Sequence, residues 1–289
     1  MKHSFWSLLA ALCFALMALF IRLGASGLTS MQLVFVRSAF TLLAIYIVFV
    51  RGRAILKTPF VKEHAIRCVC GITAMLCWFY AIPRMNFGLC MALVYTTPLF
   101  LAAYTVIRSL VSRSAVPWGP VAGAVVGFTG VALCLGPSFH AEELFPAFLC
   151  IFSAFLDLLS FLQIKKMGDA GEPSWRIVFF FSLFGALVTG IGFADGVPVE
   201  WTPMLLACLA GIGITASVGQ WAGTQAYAAG NMLLSACLGL SAIVFSLFFS
   251  ALVFNEPVTA GALLGTALII AGSAVSIVTT RRWEMRAEA

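Results

Sequence analysis

Two ionisable residues lie inside long apolar segments, where a charged side chain has to face protein or water rather than lipid. Arg37, in MQLVFVRSAF, lies about seven residues into its segment, and Asp157, in SAFLDLLSFLQ, lies about thirteen residues into another. Each charge costs roughly 2.5 to 3.5 kcal/mol at the centre of a bilayer. Arg37 therefore either binds an anionic group or stabilises the fold by capping backbone carbonyls. Asp157 either binds an amine or a proton or makes a structural hydrogen bond.

The depths of these two residues in the membrane are expected to differ. At 1.5 Å per residue, the positions of Arg37 and Asp157 differ by about 10 Å along the bilayer normal. Side chains lean toward helix N-termini, which does not close that gap. We therefore expect no direct ion pair between them.

A polar stripe follows one face of the segment that contains QWAGTQAYAAGN. Gln220, Trp221 and Gln225 recur on it at helical spacing, and Gln163 lies one turn beyond Ser160 in the segment of Asp157. Amides inside a membrane either hold helices together by hydrogen bonds or line a cavity that binds solute. In a cavity, the Trp221 indole would offer a stacking surface.

Aromatic and hydroxyl side chains also surround a proline. Tyr95 and Thr96 lie just before Pro98, which removes one backbone hydrogen bond and permits a kink of the kind that gates use. Trp78 and Tyr80 either join this group or anchor their helix at the membrane interface. The predicted substrate-binding residues are Arg37, Trp78, Tyr80, Tyr95, Thr96, Asp157, Gln163, Gln220, Trp221 and Gln225, with Pro98 as the gating position.

The composition excludes a soluble protein, because 62% of the residues are hydrophobic and only 10% are charged. Ten apolar segments are each long enough to cross about 30 Å of hydrocarbon as a helix. They cover residues 4–22, 30–50, 65–83, 87–107, 117–136, 144–164, 175–193, 203–225, 232–254 and 258–279. These segments predict an all-α membrane protein with ten transmembrane helices.

An internal repeat divides the chain into halves. AIPRMNFGLCMALVYTTPLF at 81–100 aligns with AYAAGNMLLSACLGLSAIVF at 226–245, at an offset of about 145 residues. We predict two five-helix repeats, residues 1–139 and 140–289. Because five is odd, the second repeat enters the membrane from the opposite side, so the repeats are inverted, which suits alternating access around a shared cavity.

The basic residues predict the orientation. With the N-terminus inside, nearly all of them fall on the cytoplasmic side, and only Arg22 and Arg84 fall outside, apart from the intramembrane Arg37. In this assignment Arg67 belongs to the cytoplasmic group. The predicted topology is N-in/C-in, in a bacterial inner membrane. The formal charge of +6 is then loop charge rather than a nucleic-acid footprint.

Motifs for chemistry are missing from the sequence. It has no phosphate-cradling loop, paired catalytic carboxylates, Ser/His arrangement or metal-ligand spacing, so we expect no enzyme, cofactor or metal. The nine cysteines lie mostly in apolar spans and do not indicate a disulfide framework. The expected partners are a small-molecule substrate and membrane lipids. Small-residue faces on the fifth and tenth spans are consistent with a peripheral scaffold or a homodimer surface; otherwise the protein is a monomer.

Several of these stretches together resemble the EamA-type members of the drug/metabolite transporter superfamily. They are QLVFVRSAFTLLA, AIPRMNFGLCMALVYTTPLF, QWAGTQAYAAGN and FNEPVTAGALLGTALIIAG, in this order and across both halves. The resemblance implies an inner-membrane exporter or exchanger of small metabolites such as amino acids. It also implies a central cavity lined by helices one to four and six to nine. The second half has no arginine at the position that corresponds to Arg37, near Ser182.

The nearest alternative function is a lipid-linked substrate flippase. It would need a lateral opening between helices and a headgroup pocket near Arg37. A passive scaffold is disfavoured by the polar stripe, and an intramembrane enzyme by the missing nucleophile and acid pair.

Overall fold

The architecture is known from a computed structural model that describes residues 2–24, 28–50, 57–85, 87–135, 141–193, 200–254 and 259–288. Within these ranges the chain forms helices and short connections and no strand, as predicted. The α-helices are α1 (Lys2–Gly24), α2 (Ser30–Ile45), α3 (Val61–Ala81), α4 (Phe87–Val94), α5 (Thr97–Val111), α6 (Trp118–Leu135), α7 (Leu144–Asp169), α8 (Ser174–Thr189), α9 (Pro203–Ala229), α10 (Met232–Gly239), α11 (Ser241–Phe254) and α12 (Ala260–Glu288).

Helices occupy all ten predicted segments. Seven helical stretches are long and apolar enough to cross a membrane, and three shorter apolar helices fill the fourth, fifth and tenth segments. The outside of the bundle carries exposed apolar side chains, among them Val48, Val111 and Leu187, as a lipid-facing surface requires. The protein is therefore an all-α, multi-pass membrane protein. Of the basic residues used to predict its orientation, those at 51 and 53 lie outside the described residues.

Two of the predicted spans are broken helices. The fourth is interrupted at Tyr95 and Thr96, between α4 and α5, and the ninth at Leu240, between α10 and α11. The proposed internal alignment pairs Tyr95 with Leu240, so both halves break at the same place. Pro98 thus lies in the first turn of α5, where its missing N–H costs little. The predicted kink inside a continuous helix is wrong at this position.

The two halves pack against each other through matching helices. Helix α1 lies along α9, α3 along α7, and α2 along α8. Helix α1 also contacts α10 and α11, while α7 contacts α4 and α5. If each helix is replaced by its counterpart in the other half, the α2–α8 pair maps onto itself and every other pair maps onto another pair in the set. Two repeats related by a two-fold axis would produce this pattern, although inversion of the repeats stays a prediction.

Helices α6 and α12 meet through glycine along a surface that we call the glycine seam. A Cβ atom added at Gly123 would collide with the Gly272 carbonyl and the Ser276 hydroxyl, and one at Gly130 would collide with the Gly265 carbonyl. The seam therefore brings the two backbones into direct contact. The small-residue faces of the fifth and tenth spans thus pack within the chain, and the oligomeric state stays a prediction.

Candidate functional site

A central cavity of about 150 Å³ lies between the two halves. This volume has room for on the order of ten water molecules, which corresponds to a small metabolite. Both helix breaks reach it, through Tyr95 and Thr97 in the first half and through Gly239 in the second. Discontinuous helices that meet near the middle of a membrane are the usual setting of a transporter's binding site.

Arg37 connects the halves at the cavity wall. Its side chain is buried, at 4% exposure, and its Nη2 donates to Oε1 of Gln220 over 3.0 Å. Its Nη1 contacts the Sδ atom of Met75, while Nε has no partner. The arginine therefore joins α2 to α9 through an amide and keeps one donor without an acceptor. It has no carboxylate partner among the described residues.

Arg67 is a second arginine in the cavity, and the prediction that places it with the cytoplasmic loop charges is wrong. It is 4% exposed, and its Nη1 donates to Oγ of Ser160 over 2.5 Å. Its guanidinium lies over the Phe181 ring, 3.9 Å from the centroid. The reason for the error is that α3 begins at Val61, which carries Arg67 almost two turns into the helix.

Asp157 provides the negative charge of the cavity. It makes no hydrogen bond or ion pair with the residues that the structure describes, and it lines the same cavity as Arg37 and Arg67. No ion pair between Asp157 and Arg37 occurs among the described residues, as the sequence predicts.

Other predicted site residues also line the cavity. They are Trp78, Tyr95, Gln220 and Pro98. The Nε1 donor of Trp78 is buried without a partner. The roles of these residues in binding stay predictions.

The remaining predicted site residues do not line the cavity. Trp221 packs edge to face on Trp6, with centroids 4.9 Å apart, and Gln225 accepts a 2.5 Å hydrogen bond from Ser174. Only part of the polar stripe of α9 therefore lines the cavity, and the rest packs against other helices. Thr96 donates to the Leu93 carbonyl within its own helix break. Tyr80 and Gln163 also lie away from the cavity lining, and the Tyr80 ring packs under Arg84.

Sequence reasoning missed two aromatic residues as well as Arg67. Phe161 and Tyr227 both line the cavity, and their rings stack with centroids 4.0 Å apart. Helical spacing could have indicated two of these three residues. Phe161 lies four residues after Asp157, and Arg67 shares a helical face with Gly71 and Trp78.

The cavity is closed differently at its two ends. We call the end at which α1 begins the N-terminal end. Toward the other end lies a thick buried cluster that includes Met17, Ile21, Leu33, Phe79 and Met91. Toward the N-terminal end, the Phe161–Tyr227 stack and a layer with Leu101 and Leu233 separate the cavity from a second concavity of about 830 Å³. Ile164, Met167 and Ile177 form a further buried cluster against which the same stack packs. The polar residues of the second concavity include Tyr104, Arg108, Ser109, Lys165 and Asn231.

An ionic network holds the helices together at the N-terminal end. Glu172 accepts from Arg176 over 3.1 Å and lies 3.2 Å from Nε2 of His64. Lys166 pairs with Glu63 over 2.6 Å. Both His64 and Glu63 belong to α3, and their partners belong to the second half of the chain. The network therefore ties the two halves together at this end of the bundle.

Replacing Glu172 with alanine is expected to destabilise the folded protein. Its carboxylate is 3% exposed, so its loss leaves the Arg176 guanidinium, which is 12% exposed, without this partner, at a cost of about 3 kcal/mol. The melting temperature in detergent should fall accordingly. The matched control is Asp169→Ala, which removes a carboxylate that is 61% exposed in its pair with Lys165. The free energy of unfolding of that variant should lie within about 1 kcal/mol of that of the parent protein. Equal losses of stability in the two variants would contradict the assigned role of Glu172.

Comparisons with known proteins agree with this architecture. A solved crystal structure covers 97% of this chain and 98% of its own, with a TM-score of 0.77 at 19% sequence identity. An uncharacterized transporter of Helicobacter pylori strain J99 is 26% identical over 280 residues, or 91% of this chain and 90% of its own. The pseudopaline exporter CntI of Pseudomonas aeruginosa strain UCBPP-PA14 is 22% identical over 271 residues, or 91% of this chain and 92% of its own.

The fold, the central cavity and these relatives define the protein as a membrane transporter. Residues 1–136 match the model of the EamA-like transporter family. This match and the relatives named as transporters support the EamA-type transporter of the drug/metabolite transporter superfamily that the sequence motifs predict.

Proposed function

We propose that the protein is a secondary transporter that exports or exchanges a small zwitterionic metabolite, such as an amino acid, by alternating access. The observation that carries the proposal is the cavity between the halves, lined by Arg37 of α2 and by Asp157 of α7, which has no partner among the described residues. Arg37 would bind a carboxylate and Asp157 an amine or a proton. The aromatic walls, Trp78 and Tyr95, would cover apolar parts of the solute.

The positions of the closing layers support alternating access. The halves make matching contacts, and separate buried clusters close the cavity at its two ends. In the proposed N-in/C-in topology, the second concavity faces the cytoplasm and serves as the vestibule from which the solute enters. The relative named as an exporter supports the outward direction.

Ligand stabilisation followed by counterflow tests the proposal. Amino acids and lipid phosphates are first compared for their effect on the melting temperature of the purified protein. Liposomes that contain the protein and are loaded with the stabilising solute should then accumulate the labelled solute from outside, whereas protein-free liposomes should not. Stabilisation by lipid phosphates alone would favour the flippase. Absence of counterflow for every stabilising solute would refute the proposed transport.

A further inference from the structure

The fixed charges of the central cavity do not balance. Two arginines, Arg37 and Arg67, line it, and Asp157 is the one carboxylate among its described lining residues. Both guanidinium groups are almost completely buried. Buried charges are stable when paired, so this cavity is short of one negative charge.

Three buried donors of the cavity have no acceptor among the described residues. Nε of Arg37, Nε of Arg67 and Nε1 of Trp78 are all buried without a hydrogen-bond partner. In addition, one Nη of Arg37 is directed at the Met75 thioether, which is a weak acceptor. Asp157 instead lacks donors, because its carboxylate oxygens accept no hydrogen bond from the described residues. A complementary solute therefore brings several acceptor oxygens and one cationic donor.

We propose that the transported solute belongs to the acidic amino acids, with two carboxylates and one ammonium group. Arg37 binds one carboxylate, Arg67 binds the other, and Asp157 binds the ammonium. The net charge of such a solute is −1, which balances the net charge of +1 that Arg37, Arg67 and Asp157 have together. A solute of about ten non-hydrogen atoms also suits a cavity with room for on the order of ten waters. This inference rests on the proposed function and specifies its substrate class.

The surroundings of Arg67 hold its guanidinium at the cavity wall. Phe181 lies under the guanidinium plane and Ser160 accepts from Nη1, which leaves Nε free. Gly71 provides the space, since a Cβ atom at this position would collide with Nη1 of Arg67 and with the Phe181 ring. Gly71 is thus a positioning residue for the second carboxylate site.

A matched set of solutes tests the substrate class on the unmodified protein. L-aspartate, L-glutamate and L-2-aminoadipate are each compared by calorimetry with the corresponding side-chain amide and with the diacid that lacks the amine. At least one amino diacid should bind about tenfold more tightly than both of its counterparts, because each counterpart loses one charge-assisted contact. The inference is overturned if no amino diacid binds, or if the amides bind equally well.

Variants locate the second carboxylate site. Arg67→Gln should reduce the acid-over-amide preference from about tenfold to under about threefold, whereas Arg67→Lys should retain part of it. Gly71→Ala should also reduce the preference, because it displaces the guanidinium without removing its charge. The control is Arg84→Gln, since Arg84 lies on the exterior against Tyr80. An unchanged preference in Arg67→Gln would overturn the assignment.

Counterflow separates this inference from the proposed function. If neutral amino acids exchange and amino diacids do not, the protein is a transporter and the acidic class is wrong. If no solute of the set exchanges and none stabilises the protein, both the class and the proposed amino-acid transport are wrong. Exchange of the preferred amino diacid supports both.

Discussion

Replacing Arg37 with alanine is expected to abolish transport while the protein still folds. The side chain is a cationic contact between the halves at the cavity, and in the proposed site its loss removes a charge-assisted contact to the solute. Such contacts contribute about 1.5 to 3 kcal/mol, so flux below saturation should fall roughly tenfold to more than a hundredfold. Initial uptake into proteoliposomes measures the effect. Gln220→Ala should act in the same direction, because Gln220 holds the guanidinium in place.

Two controls distinguish binding by Arg37 from a role in folding. Arg84→Ala removes an arginine outside the cavity and should leave flux unchanged. Arg37→Lys keeps the charge but loses the planar pair of donors, so its flux should lie between those of the parent protein and Arg37→Ala. A large drop in melting temperature for Arg37→Ala would instead show that this arginine stabilises the fold. Normal flux in both Arg37→Ala and Gln220→Ala would refute the site.

A reversible disulfide between α4 and α7 is expected to stop transport. The Sγ atoms of Cys90 and Cys150 are 3.8 Å apart, and both residues are buried in the thick cluster. Iodine enters the membrane and oxidises the pair, so that one S–S bond of about 2.05 Å replaces two S–H bonds and iodide is released. The bond would tie the two halves at the end opposite to the N-terminal end. If that end opens during each cycle, flux should fall below about a tenth and recover with dithiothreitol.

The specificity of the crosslink can be tested with a single substitution. Cys150→Ala should transport normally and should be insensitive to iodine, which excludes effects at the other cysteines. Mass spectrometry of the treated protein identifies the Cys90–Cys150 peptide. Full flux in a protein with this disulfide formed would show that α4 and α7 do not separate, and alternating access at this end would be wrong.

The apolar segments predicted the fold well because the bilayer restricts how a chain can cross it. Every backbone polar group must be satisfied inside the membrane, so a long apolar segment has to be a helix. Internal breaks were harder to predict. Leu240 lies at a break with no proline beside it, and Gly239, where α10 ends, is the only local signal. The internal alignment with Tyr95 was a second signal, since it placed Leu240 opposite the residues before Pro98.

The site was only partly predictable because sequence spacing shows which helical face a polar residue lies on, but not which neighbouring helix packs against that face. Arg37, Asp157 and Gln220 lie deep in their segments, and this depth alone indicated a cavity. Trp221 and Gln225 share their helix with Gln220, yet they meet Trp6 and Ser174 instead. Arg67 was missed for another reason. It lies near a segment end, where a snorkelling or loop arginine gives the same sequence pattern as a buried one.

The glycine seam has a consequence for how the two halves move. Helices α6 and α12 are the last spans of the first and second halves, and their backbones touch at Gly123 and Gly272 without side chains between them. Sliding there would push carbonyl groups into each other, so in the proposed alternating access the seam would serve as a fulcrum. Displacement would then grow with distance from it, and the widest opening would fall on the far side of the bundle, where α1 and α2 meet α8 and α9.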